Sequence, residues 1–77
     1  MKIRKNFLEG MEQKVYIYEN KKEESFVVAV PDIQWSYSFT YEEEDIHTKL
    51  LKSLLERNAQ ETAETLSARI VQWTTEM

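Results

Sequence analysis

Ile33-Gln34-Trp35-Ser36-Tyr37-Ser38-Phe39-Thr40-Tyr41 is the stretch on which the fold turns. Large apolar side chains fill its odd positions and polar ones its even positions. Only an extended strand sorts such a period of two onto separate faces. One covered face and one wet face is the pattern of an antiparallel sheet. Residues 33–41 are therefore read as a strand with Trp35, Tyr37 and Phe39 facing inward and Ser36 and Ser38 facing outward.

Upstream, Val15-Tyr16-Ile17-Tyr18 and Phe26-Val27-Val28-Ala29-Val30 are rich in β-branched and aromatic residues, which suit strands. The polar run from Glu19 to Ser25 fits a hairpin connection, with Asn20 able to take a positive φ. Pro31-Asp32 ends the second strand, because proline has no N–H to give to a ladder. Lys2–Leu8 reads as a further strand, with Gly10 marking a turn, so the sheet is a three- or four-stranded antiparallel meander. If Val15, Ile17, Phe26, Val28 and Val30 point to the core, then Tyr16, Tyr18, Val27 and Ala29 point away, beside Ser36 and Ser38.

Downstream the period changes. Thr40 and Glu43 have the spacing of a capping box, and Glu42 to Asp45 would place negative charge at a helix start. Ile46, Leu50, Leu51, Leu54 and Leu55 then recur at helical spacing, as do Ala59, Ala63, Leu66, Ile70, Trp73 and Met77. At about 100° per residue, one straight helix would turn its apolar stripe through roughly 130° halfway along. A break at Arg57-Asn58 removes the conflict, so two helices are expected. The fold class is α+β: a meander in residues 1–41 with two helices in residues 42–76 packed on one face, all in a single domain of residues 1–77.

A chain of 77 residues supports one domain. It buries only about 60% of the surface its unfolded form exposes, so self-association is an expected supplement to a thin core. The absence of cysteine removes disulfides and thiol chemistry, and fits a reducing compartment. Net charge is −4, all of it in residues 41–77, since residues 1–40 carry six basic and six acidic side chains. Nucleic-acid binders normally present a basic face, so no nucleic-acid partner is expected. No signal-peptide core or membrane-spanning run is read, and a cytoplasmic location without membrane contact is expected.

Candidates for chemistry are few. Glu44 and His47 form a Glu-x-x-His pair, but di-iron bundles need two such pairs and further carboxylates. His47 has no triad signature around it, and Gly10 alone makes no phosphate loop. No catalytic, cofactor or metal site is assigned, and the protein is read as not an enzyme. The stripe Trp35, Tyr37, Phe39, Tyr41 could stack bases, as sheet-based RNA modules do, but a small domain needs it as core. Tyrosine is favoured at interfaces, so Tyr16, Tyr18, Val27, Ser36 and Ser38 are the candidate partner-binding residues.

The opening Met-Lys-Ile-Arg-Lys, the block from Val15 to Glu24 and the ending Ile70-Val71-Gln72-Trp73 resemble the YueH-like family across nearly the whole chain. That resemblance implies a bacterial setting and no particular activity. Residues 15–55, with Val28-Ala29-Val30-Pro31-Asp32-Ile33 and then Thr40-x-Glu42-Glu43, are also similar to HicB-type antitoxin domains. Those domains are strand meanders packed on a helix that block a ribonuclease toxin. The chain departs from them at Gln34-Trp35, where a glycine is usual, and in having no DNA-binding region. The reading that results is a non-catalytic module binding a protein partner or itself as a homodimer. The alternatives are a HicB-like toxin-neutralising protein and a single-stranded nucleic-acid binder using the aromatic face.

Overall fold

The computed structural model describes residues 1–77. The elements are β1 (Lys2–Leu8), β2 (Met11–Asn20), β3 (Ser25–Val30), a 3₁₀ turn (Pro31–Ile33), β4 (Trp35–Thr40), α1 (Ile46–Leu55) and α2 (Gln60–Glu76). The strands form one antiparallel sheet in the order β1-β2-β3-β4, followed by the two helices, an α+β fold. Residues 1–43 make one compact unit and residues 44–77 a second.

Three short connections set the register of the sheet. Leu8 pairs with Met11 across the two-residue loop Glu9-Gly10, and both loop residues have positive φ (50° and 79°). This is the hairpin turn whose twist matches that of the strands, and glycine makes it cheap at the second position. Asn20 and Ser25 pair at the next hairpin. The left-handed residue there is Glu24 (φ 53°), not Asn20 as the sequence suggests. Asn20 serves the turn through its side chain instead: Oδ1 accepts from the Glu23 N–H at 3.1 Å, and Nδ2 donates to Glu23 Oε1 at 3.1 Å.

The last strand is shorter than residues 33–41. Pro31 opens a 3₁₀ turn that takes in Ile33, and Gln34 (φ 50°) closes it by donating its N–H to the Pro31 carbonyl at 2.9 Å. Pairing starts at Val30 with Trp35. Tyr41 lies past the end of β4, yet its N–H donates to the Glu24 carbonyl at 2.8 Å. Its hydroxyl donates to the Glu19 carboxylate. That bond, with desolvation and the charges of Glu19 and Glu24, pushes the Tyr41 pKa up to about 12.

Val15, Ile17, Phe26, Val28, Val30, Trp35 and Phe39 are buried and share one face of the sheet. Removing each from water contributes about 1.5–3 kcal/mol. Phe26 and Phe39 are register partners with ring centroids 5.4 Å apart. On the same face Asn6 is fully buried, and its Nδ2 donates at 3.0 Å to Oε1 of Gln13, its cross-strand partner.

In the second unit α1 and α2 pack on each other. Leu50 and Leu54 of α1 are buried, as are Ala63, Leu66, Ser67, Ile70 and Trp73 of α2. The stripe at steps of three and four holds, but its outer members Ala59 and Met77 lie beyond the helix ends. Ser67 keeps its hydroxyl satisfied by donating to the Glu64 carbonyl at 3.1 Å. The break falls where the phase conflict places it. Asn58 ends α1, with its N–H and Nδ2 both donating to the Leu54 carbonyl at 3.0 and 2.9 Å.

The capping box does not form. Residues 41–45 remain outside any helix, α1 starts at Ile46, and its preceding residue Asp45 is left-handed with no side-chain cap. The left-handed backbone of Asp45 breaks the helical path immediately before Ile46. Glu44 therefore precedes α1 while His47 lies in its first turn, so the Glu-x-x-His pair is not carried on one helix. No helix is long and apolar enough to cross a membrane.

Candidate interaction surface

The residues singled out from the sequence come together on the outer face of the sheet. Pairing sets Tyr16 opposite Ala29 and Ala29 opposite Ser36. In the neighbouring row Tyr18 is opposite Val27 and Val27 opposite Ser38. These two rows cross β2, β3 and β4, and both lack charge. Their alternation with buried Val15, Ile17, Phe26, Val28 and Val30 places them on the solvent side.

The structure also brings in two residues that the sequence reading left out. Ile3 sits opposite Tyr16 and extends its row onto β1, and Phe7 shares the parity of Ile3. Relative exposure is 55% for Ile3, 67% for Phe7, 45% for Tyr18 and 41% for Val27. Four of the chain's nine exposed large apolar side chains thus share this one sheet face. The signal is present in the sequence: odd positions 3 and 7 are apolar while 4 and 6 are polar, a period of two in reverse.

Where β3 begins and β4 ends, an open depression of about 330 Å³ is lined by Glu23, Ser25, Val27, Ser38, Phe39, Thr40 and Glu43. Ser25 and Thr40 are register partners, as are Val27 and Ser38, so strand pairing itself lays the hydroxyl groups along its floor. Toward the other end of the face Lys5 and Lys14 stand directly opposite each other, with the Phe7–Glu12 pair beyond them, and Lys5 reaches Glu12 at 3.7 Å. The face can bury apolar and phenolic surface at its centre and take hydrogen bonds or charge at its ends.

The aromatic stripe is placed otherwise. Trp35 and Phe39 are buried, Tyr37 is half-buried, and Trp35 stacks on Tyr37 at 6.2 Å, so the stripe offers no open row of rings to bases. His47 is exposed in the first turn of α1, and no group of three or more histidine, aspartate or glutamate side chains comes together to hold a metal.

A four-stranded antiparallel meander with an exposed, tyrosine-bearing outer face, continued by two helices, defines a small α+β protein. The chain belongs to the YueH-like protein family, whose pattern it matches over residues 2–76. It is 43% identical, over the full length of both chains, to a Bacillus subtilis protein carried under the name "Uncharacterized protein YueH". No solved structure matches it.

Proposed function

We propose that the chain is a non-catalytic, cytoplasmic protein-interaction module that binds through the outer face of its sheet. The observation carrying this reading is the exposure of Ile3, Tyr18 and Val27 around Tyr16 on one face, with Phe7 on the same face beyond the Lys5–Lys14 pair. Strand formation does not require it, because β4 is built with Ser36, Ser38 and Thr40 at the equivalent positions. Contiguous apolar surface left in water is favoured at sites that a partner covers. Tyrosine adds contact area with few torsions to freeze and a hydroxyl for hydrogen bonding. The lack of cysteine suits the reducing cytoplasm.

Photo-crosslinking in bacterial cells tests the reading. A crosslinking residue placed at Tyr18 or Ile3 is expected to capture protein, whereas one at the exposed Ala68 of α2 is not. Equal silence at all three positions would remove the proposal.

A further inference from the structure

The two edges of the sheet are built differently. β1 and β4 are its outermost strands, so each leaves one side of its backbone unpaired. β1 carries Lys2, Arg4 and Lys5, and Arg4 turns its half-buried side chain to the inner face. Charges along an edge, above all inward-pointing ones, guard it against pairing with another strand. β4 has no such guard. Trp35–Thr40 contains no charge and no proline, and its register with β3 runs unbroken, with no bulge to twist the edge away. The ladder also fixes which groups the open edge presents. Tyr41, one step past the Ser25–Thr40 pair, donates its N–H to the Glu24 carbonyl. Bonding alternates along an antiparallel pair, so Trp35, Tyr37 and Phe39 likewise turn their main-chain groups to β3. Ser36, Ser38 and Thr40 turn theirs to the edge, and all three are exposed. The Thr40 carbonyl accepts from the Glu43 N–H at 3.3 Å, while the main-chain groups of Ser36 and Ser38 are left to solvent.

We infer that this edge pairs with the same edge of a second copy, β4 antiparallel to β4, about a two-fold axis that passes through Ser38 perpendicular to the sheet. In that register Ser38 faces Ser38 and Ser36 faces Thr40 as the bonded pairs, with Tyr37 facing Phe39 as the closer non-bonded pair. Hydroxyl meets hydroxyl and ring meets ring, which are favourable cross-strand pairs, and no charge within β4 opposes another. The symmetry keeps both inner faces on one side, so the row of Trp35, Tyr37 and Phe39 continues across the join. Tyr37, on the inner face yet only half-buried, is the ring that the join would cover. β1 set against β1 would instead bring together the cations of both copies. A partner strand for this edge must be free, uncharged and matched to it in period, and β4 of another copy is all three. The edge is separate from the outer face, and either surface can bind without the other.

Sedimentation equilibrium of the full chain, joined to amide hydrogen exchange, tests the pairing. The wild-type chain is expected to dimerise reversibly. Its Ser36 and Ser38 amides should exchange about tenfold or more slowly in the dimer than in the dilute monomer. Ser38 meets itself on the axis, so Ser38→Lys and Ser38→Glu each set like charges together and should weaken dimerisation about tenfold or more. Mixed, they set lysine opposite glutamate, and the heterodimer should form to within about threefold of the wild-type affinity. Ser38 is exposed, and unchanged thermal unfolding of the dilute variants confirms that folding is intact. If either variant fails to fold, the amide exchange of the wild type decides alone.

A wild-type chain that stays monomeric up to about 1 mM would overturn the inference. So would a dimer in which those two amides exchange as fast as in the monomer, or a mixture no tighter than its separate components. Exchange slowed only by adding a different protein would give the edge to another strand and overturn self-pairing.

Discussion

The two faces of the sheet are made of alternate residues of the same four strands, yet they obey different rules. The inner face is closed by Val15, Ile17, Phe26, Val28, Val30, Trp35 and Phe39, and its one buried amide, Asn6, has a partner. The outer face changes character from strand to strand: serine and threonine on β4, valine and alanine on β3, tyrosine on β2, isoleucine and phenylalanine on β1. β4 demonstrates what an outer face needs for solubility and pairing alone. The excess of apolar surface on the other three strands is a property of the face and not of strand formation.

The largest effect should come from the inner face. Trp35→Ala is expected to cost about 3–5 kcal/mol in chemical denaturation, a large share of the stability of a small domain. Trp73→Ala, the equivalent loss among the helices, should cost a similar amount. A Trp35→Ala change below about 1 kcal/mol would break the contrast at its root.

The polar member of the inner face comes next. Asn6→Ala leaves Gln13 without its partner and should cost about 1–3 kcal/mol. Replacing Asn6 and Gln13 together by apolar residues should cost less than Asn6→Ala alone, because no polar group is then stranded. A double variant less stable than Asn6→Ala would show that the pair holds more than itself in place. On the outer face Val27→Thr should move stability by no more than about 0.5 kcal/mol. A loss comparable to that of Trp35→Ala would mean that the outer face is also core.

Smallest at neutral pH, where it is nil, is the effect of Tyr41 ionisation. Its hydroxyl holds its proton more tightly in the folded chain, with a pKa raised from 10.0 to about 12. The stability this bond supplies is therefore whole below pH 10 and is lost as pH rises through 12. Denaturation of wild type and Tyr41→Phe across that range should show the extra decline in wild type only. Parallel decline in both would place the titration on another group.

Legibility in the sequence follows the same contrast. β4 is plain because its two faces differ in chemistry, and the helix break is plain because the two stripes differ in phase. In β3 both faces are apolar, so periodicity says nothing there, and the facing comes from its neighbours. β1 is faint because its inner positions, Arg4 and Asn6, are the polar ones, which hides Ile3 and Phe7 from the candidate site. The start of α1 is misplaced by sequence because Thr40 and Glu43 look like a cap by spacing, while the left-handed backbone of Asp45 lets the helix begin only at Ile46. The occupancy of the left-handed position by Glu24 has no propensity signal. Asn20 takes the turn through its side chain and leaves that torsion to a residue further along.

The strand order carries a consequence for how the sheet comes into being. Every strand pairs with the one made just before it, and the connections span residues 9–10, 21–24 and 31–34. No distant segment has to be found, so the entropy lost in closing each loop is small. Formation by successive hairpin closure, each step taking about 1–10 μs, puts this sheet among the fast-assembling β topologies. The tyrosine rows are complete once Thr40 has paired with Ser25, before any helical residue is required for the register. In the order of synthesis, the surface through which the chain would meet its partner is written first.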